Sequence, residues 1–448
     1  MQKSLALRLL VDVVFFTTYG LLFLFYPLGF SKNYNHAGSV HINNEGGVFQ
    51  LYRNGQPFYI KGAAGISHFN DLGTIGGNTI RVYDTLNLLA VLNEAEKNNL
   101  AVIVDIPLPN YNEKYSYYKD QEMNNVRKAK VRHLVRRFRN HPALLFWNLG
   151  NELYYPIKLF PNDFIKAFNE LIDIIHTEDP DHLVGTAVLG RGRISKLSMM
   201  LHSPKLDLVG YNIFGKIKDI RSSVFFNSVM SGSFPYYISE WGIDGNWETP
   251  TTKWGASIEP TSTKKNEQLR DRYVNHVINV GDNCLGNLVF YWGQKHECTY
   301  TWFNMYAEEG KKTEMVATMN DLWKGRNEKQ PDIGLEYMLV DGLGAPSSIL
   351  LSPGTLTKAE LKLNKNHKEG LVVRWELYPD HCNLKGIRNE IKEPKRISKA
   401  IVSNKGLTAL FETPKAEGPY RLYAYLEDQD GYVASCNTPF YVLNGSDE

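Results

Sequence analysis

Cysteine is scarce. The chain carries four in 448 residues, at positions 284, 298, 382 and 436. That is too few for a disulfide-stapled framework, and the spacings fit no tetrahedral metal site. Cys382 and Cys436 can pair within one small domain if the compartment is oxidising, and four free thiols is the equal alternative. Charge of one sign is also missing. Fifty basic residues against 48 acidic ones leave a net charge of +2, so there is no basic field to hold nucleic acid. No G-x-G-x-x-G loop follows the first strand-like run, which argues against a dinucleotide fold, and no phosphate loop appears. Internal repeats and low-complexity tracts are absent. No metal and no cofactor is expected.

Aromatics are plentiful, with 8 Trp and 26 Tyr. Sugar clefts use such rings as stacking platforms, but large barrels also bury many, so the count alone decides nothing. Composition is otherwise that of a globular protein, 43% hydrophobic and 22% charged. The length exceeds one average domain and suggests a large domain plus a smaller one.

The N-terminus departs from this. Residues 9–30 form an apolar run with a single charge, Asp12, long enough to span a bilayer as a helix. Lys3 and Arg8 precede it, which favours a cytoplasmic N-terminus. A cleaved signal peptide has a shorter apolar core and a small-residue site just after it. Only a weak site near Ala37 follows here, so an uncleaved signal anchor is the expectation. Either way the rest of the chain is sent across a membrane.

After a polar linker, two strand-like runs flank Asn54-Gly55, a strong hairpin signal. Eight short apolar runs then alternate with helical patterns. They lie at 58–65, 79–84, 101–109, 143–152, 183–190, 206–215, 235–242 and 287–293. Several are apolar throughout, as expected where a parallel sheet is covered on both faces. In the helical stretch between the fourth and fifth runs, Phe164, Phe168, Leu171, Ile172 and Ile175 recur at helical spacing. Eight βα units over this length describe a TIM (β/α)8 barrel. After about residue 330 the pattern changes to short strands and turns. Strong alternation in YRLYAYLED, then a turn at Asp428 to Gly431, predicts a β-sandwich of immunoglobulin-like type. The expected fold is therefore α/β: a TIM barrel over 46–330, a sandwich over 331–448, and a transmembrane segment with its linker over 1–45.

In such a barrel, polar residues at the C-terminal ends of strands read as catalytic. The fourth run ends WNLGNE, which puts Asn151 and Glu152 at the rim; the seventh ends ISEWG, which puts Glu240 and Trp241 there. Strands four and seven lie on roughly opposite sides of the mouth. Two carboxyls can then face each other across a glycosidic bond, one protonated to assist the departing oxygen and one ionised to attack the anomeric carbon. Alone, each Glu is as well explained by a capping or ion-paired rim carboxylate. Jointly, with Asn before Glu152, the catalytic reading prevails.

GNE after strand four and SEWG after strand seven resemble clan A glycoside hydrolases. NTIRVYDT, HPALLFWNLGNE, the segments near 247–263 and YWGQKHECTYTWF are similar to bacterial family 2-like TIM-barrel glycosidases, over about residues 46–445. The resemblance implies Glu152 as acid/base and Glu240 as nucleophile. It implies that Asn151 bonds the sugar 2-hydroxyl, that Arg81 keeps the nucleophile ionised, and that Trp292 forms the floor under the sugar. Asn212, Trp241, Gln294 and Glu297 complete the expected substrate contacts. Trp147, Trp247, Trp254 and Trp302 are weaker stacking candidates, for which core packing serves equally well. His68 reads as structural, and Asp84 either bonds a hydroxyl or pairs with a cation. There is one departure: where clan A barrels carry a Tyr two residues beyond the strand-six Asn, this chain has Phe214, which removes a hydrogen bond to the nucleophile.

The resulting expectation is a retaining glycosidase cleaving β-bonds of a glucan or related glycan. It would be membrane-anchored, with its catalytic domain in the periplasm or at the cell surface. The alternatives are a glucanosyltransferase-like transglycosidase, or a catalytically weak carbohydrate-binding envelope protein.

Overall fold

The computed structural model describes residues 39–110, 115–190, 193–222, 224, 233–281, 283–325, 331, 333–364, 370–382 and 393–444. The apolar run at 9–30 lies outside the described residues. Among the described residues no helix is long and apolar enough to cross a membrane.

The described chain begins with a three-stranded antiparallel sheet, β1 (Val40–Glu45), β2 (Val48–Arg53) and β3 (Gln56–Phe58). Asn54 and Gly55 both have left-handed backbone, φ 51° and 74°, and Arg53 pairs with Gln56 across them. This is the two-residue turn whose twist matches paired strands. Val40, Ile42, Phe49 and Leu51 from this sheet pack on Ile60, Ala101, Leu145, Leu183, Leu208 and Leu285. Those residues stand at the starts of the barrel strands, so the small sheet plugs the end of the barrel opposite its mouth. The plug was not legible in the sequence, where the hairpin read only as a hairpin.

Eight parallel strands follow: β4 (Ile60–Gly65), β5 (Thr79–Val82), β6 (Ala101–Ile106), β7 (Leu144–Asn151), β8 (Leu183–Leu189), β9 (Leu208–Asn212), β10 (Tyr236–Trp241) and β11 (Cys284–Trp292). They close as a barrel, with β11 returning to β4. The eight strands are those expected from the apolar runs. All six residues of β6 and all nine of β11 are buried, because helices cover the sheet outside and side chains fill it inside. The helix Asp163–Glu178 is representative. The Asn162 side chain accepts from the Ile165 N–H and caps its start, and Phe164, Phe168, Leu171, Ile172 and Ile175 form its buried face. At Gly286 a Cβ would lie 2.1 Å from the Ile60 carbonyl oxygen, so only glycine lets β11 approach β4.

Beyond the barrel, two sheets share one core. One holds β12 (Lys312–Thr313), β14 (Leu350–Leu351), β16 (Val372–Pro379), β19 (Gly418–Glu427) and β20 (Tyr432–Val442). The other holds β13 (Leu335–Val340), β15 (Leu356–Leu363), β17 (Ile401–Lys405) and β18 (Thr408–Glu412). Leu335, Leu361 and Phe411 from one sheet meet Trp375, Leu422 and Phe440 from the other. A two-sheet sandwich is established; the immunoglobulin-like topology expected from the sequence is not.

The sandwich is bound to the barrel through buried polar groups. Arg421 donates to Asp380 at 2.8 Å, to Asn437 at 2.6 Å and to the Ser257 carbonyl at 2.9 Å. Glu259 is fully surrounded: Lys265 pairs with it, and Thr299, Thr301 and Asn437 donate to it at 2.6, 2.8 and 2.5 Å. A disulfide joins Cys298, in the loop after β11, to Cys382 in the sandwich. Neither alternative left open by the sequence, a Cys382–Cys436 pair or four free thiols, is what the structure holds. Cys436 lies inside β20 and is buried and free, as is Cys284; Cys382 faces the barrel loop instead.

Candidate active site

The strand ends at the barrel mouth converge on one buried cation. Arg81 sits next to last in β5, its side chain wholly buried. A guanidinium in that position requires partners for its donors, and neighbouring strands supply them. Nε and Nη2 donate to the Asp105 carboxylate of β6 at 3.0 and 2.6 Å. Nη2 also donates to Asn151 Oδ1 at 2.7 Å, and Nη1 to Glu240 Oε1 at 3.0 Å. Burial works against the charge on Arg81, but Asp105, Tyr83 and Tyr237 together more than offset it and hold the group protonated.

Asn212, the last residue of β9, ties the two glutamates together. Its Oδ1 accepts from Ser239 Oγ at 2.7 Å and from Arg81 Nη1 at 3.4 Å; its Nδ2 donates to Glu152 Oε1 at 2.9 Å and to Asn151 Oδ1 at 3.1 Å. Glu152 follows β7 in the left-handed region, φ 51°, a conformation that a non-glycine residue holds only when its surroundings enforce it. Its N–H donates to the Ala187 carbonyl at 2.9 Å. Gly150 before it has φ 78°, and a Cβ there would press to 2.4 Å from Leu153. The turn that aims Glu152 into the mouth therefore depends on that glycine.

Glu240 is 4% exposed. Burial pushes its carboxyl up to about 8; Arg81 pulls it down, Glu152 pushes it up, and the Tyr83 hydroxyl and Lys295 pull it down. Two donors meet on one oxygen, since Tyr83 Oη donates to Oε1 at 2.9 Å beside the Arg81 bond. Burial holds the Tyr83 hydroxyl well above its usual range, so it stays a donor.

The other expected residues divide. Arg81, Asn151, Glu152, Asn212 and Glu240 form one hydrogen-bonded unit. Trp241 does not join it, and this is a correction: it is wholly buried, donates to Asn287 at 3.0 Å and packs on Tyr273 at 5.6 Å. Being next to Glu240 in a strand, it points to the opposite face. Trp292 is also wholly buried, against Tyr306 and Trp323, with its indole N–H on the His68 carbonyl at 3.1 Å. It is core and not an open floor. Gln294 is exposed. Glu297 pairs with Lys295 at 2.5 Å.

Trp147 and Trp302 are core residues bonded to Asp179 and to the Asp244 carbonyl, and Trp254 packs on Tyr441 of the sandwich. His68 stacks on Tyr306, and Asp84 caps its own turn by accepting the Leu86 N–H. Trp247 is different. It is 55% exposed and stands edge-on to Phe214 at 5.7 Å. Phe214 in turn meets Phe290 and Phe303 at 5.6 and 5.3 Å, and Tyr83 meets Phe290 at 6.3 Å. An aromatic wall thus runs from beside Glu240 out to Trp247.

Sequence reasoning missed Tyr83, Asp105 and Ser239. Tyr83 is two residues from Arg81 and so faces the same way. Asp105 is the single acid in an otherwise apolar strand, a signal in itself. Among the described residues no group of His, Cys, Asp and Glu is arranged to hold a metal ion.

A closed parallel barrel with paired glutamates, an asparagine and a buried arginine at its strand ends is the architecture of clan A glycoside hydrolases. Residues 78–209 match the family described as glycosyl hydrolases family 2, TIM barrel domain. A curated beta-glucuronidase of Paenibacillus borealis is 26% identical over 152 residues, 28% of this chain and 24% of that protein. The alignment thus spans about a quarter of the relative's length. A solved family 2 beta-galacturonidase from Eisenbergiella tayi, bound to galacturonate, superposes with a TM-score of 0.51 at 16% identity, over 64% of this chain and 54% of that one. The barrel is therefore of the clan A glycoside hydrolase type, related to family 2.

Proposed function

We propose that this chain is a retaining β-glycosidase acting by double displacement on a β-linked glycan. Glu240 is the nucleophile. It attacks the anomeric carbon as the bond to the departing oxygen breaks, and Glu152 gives that oxygen its proton. Glu152 then takes a proton from water, which attacks the anomeric carbon and releases Glu240. The observation that carries this reading is the shared network. Arg81 grips Glu240 directly, and Asn212 links Arg81 to Glu152. Arg81 and Tyr83 both donate to Glu240 and favour its ionised form against the burial that pushes the carboxyl up, whereas among the described residues the side chain that donates to Glu152 is the neutral amide of Asn212. The similarity to a beta-glucuronidase and a beta-galacturonidase supports including β-linked uronides as substrates beside β-glucans. We further propose that residues 9–30 anchor the protein and that the barrel lies outside the cytoplasm, on the strength of the apolar run with Lys3 and Arg8 before it.

Azide rescue with aryl β-glycosides tests the roles. Glu152→Gln should still form the glycosyl-enzyme from a good leaving group, and azide should release it as the β-azide. Glu240→Gly should be inactive until azide is added, and then give the α-azide. The opposite assignment of products, or an inverting wild type, sinks the proposal.

A further inference from the structure

The two donors on Glu240 both sit on Oε1, at 3.0 Å from Arg81 and 2.9 Å from Tyr83, while Oε2 bonds to no described residue. An unconstrained carboxylate turns about its last torsion and presents either oxygen. One cation allows some of that freedom, because a guanidinium donates over a broad arc. A second donor from a different direction removes it. Tyr83 is well fixed for this. Its ring lies under the Arg81 guanidinium at 4.8 Å and edge-on to Phe290, and Arg81 is itself clamped by Asp105. Phe214 has no hydroxyl and is spent on the aromatic wall with Phe290, Phe303 and Trp247.

We infer that Tyr83 is a positioning residue that fixes Glu240 Oε1 so that Oε2 is the attacking atom. The inference rests on Glu240 being the nucleophile. In the first half-reaction Oε2 forms the bond to the anomeric carbon, the bond to the leaving oxygen breaks, and that oxygen takes the Glu152 proton. Oε1 becomes the ester carbonyl oxygen. In the second half-reaction water gives a proton to the Glu152 carboxylate as its oxygen bonds the anomeric carbon, the C–Oε2 bond breaks, and the electron pair returns to the Glu240 carboxylate. The Tyr83 and Arg81 donors meet it there. Tyr83 therefore serves both steps, and it favours the ionised nucleophile.

Tyr83→Phe keeps the ring and removes the hydroxyl. Loss of a hydrogen bond to a charged group predicts a fall in kcat/KM of roughly 10- to 100-fold. The ascending limb of the pH profile should also move to higher pH, because one donor favouring the ionised form is gone. A structural role alone would lower the rate without moving that limb. The double-mutant comparison separates the two. In Glu240→Gly with azide the carboxylate is absent, so adding Tyr83→Phe should change the rescued rate by less than about twofold if Tyr83 acts through Glu240. An equal loss in both backgrounds, or an unmoved limb, overturns the inference and leaves the nucleophile assignment intact. Activity of Glu240→Gly without azide would overturn the assignment itself.

Discussion

The raised proton affinity of Glu240 has a consequence for stability. Burial pushes its carboxyl up to about 8 from an ordinary 4.5. Folding therefore tightens its hold on a proton. Below about pH 4.5 both states are protonated and there is no cost. As pH climbs the unfolded chain ionises first and the folded state loses ground, until above about 8 the loss is complete. At about 1.4 kcal/mol for each tenfold change in affinity, the full span amounts to roughly 5 kcal/mol. Glu240→Gln replaces the group with a neutral isostere, and Arg81 keeps Asp105 as its partner at 2.6 Å, so no buried cation is orphaned. Thermal melts of wild type and Glu240→Gln at pH 5, 7 and 9 should therefore diverge. The curves should lie closest at pH 5 and separate as pH rises, with the variant melting several degrees higher at pH 9. The same carboxyl should set the ascending limb of wild-type kcat/KM near pH 8, since the nucleophile must be ionised in the free enzyme. A variant less stable than wild type at pH 9, or a gap of constant size across the range, would refute the argument that burial dominates at this site.

Trp247→Ala should raise KM by about tenfold on oligosaccharides and much less on small aryl glycosides, because an exposed ring on a rigid aromatic base is placed to hold a sugar beyond the cleaved bond; equal effects on both substrates would exclude that placement. Reducing Cys298–Cys382, which closes a loop with a sequence separation of 84, should cost about 4–5 kcal/mol of unfolding free energy, read as a lower melting midpoint in dithiothreitol, and Cys382→Ser should remove that sensitivity. Glu259→Gln leaves Lys265 buried without a charge partner and should cost roughly 3–5 kcal/mol, visible as early melting; a variant with wild-type melting would show that the Glu259 network does not hold the sandwich on the barrel. Full-length protein should fractionate with membranes and need detergent for release, and recovery in the soluble cytoplasm would count against the anchor.

The barrel was legible because each strand is an apolar run ended by turn chemistry and separated from the next by a helix-period pattern. Glu152 and Glu240 were legible because they are acids placed where such runs stop. What the sequence could not settle was direction. Whether Trp241 faces the cleft or the helix layer turns on one step of strand alternation. β10 also shifts register between Tyr237 and Glu240, which blurs any count along the chain. Trp292 was misread because a tryptophan at a strand end serves a floor or a core equally well until its neighbours are known. Tyr83 was not legible because it follows β5, 157 residues before Glu240, and the two meet only when the barrel closes. The sandwich strands with strong alternation were found, but β12, β14 and β17, short or exposed, were not. The Cys298–Cys382 bond joins positions whose proximity exists only after the sandwich docks.

The chain enters the barrel at the end away from the chemistry. Ser39 and Val40 bond to Asp181 and His182 in the turn before β8, beside the small sheet that plugs the strand starts, while Glu152 and Glu240 stand at the strand finishes. The small sheet and the catalytic glutamates therefore stand at opposite ends of the barrel. The nine residues of β11 extend roughly 30 Å along the strand at about 3.3 Å per residue, which at the barrel's strand tilt of about 36° is roughly 24 Å along its axis. A glycan that reaches Glu152 and Glu240 therefore approaches from the face opposite Ser39 and the small sheet.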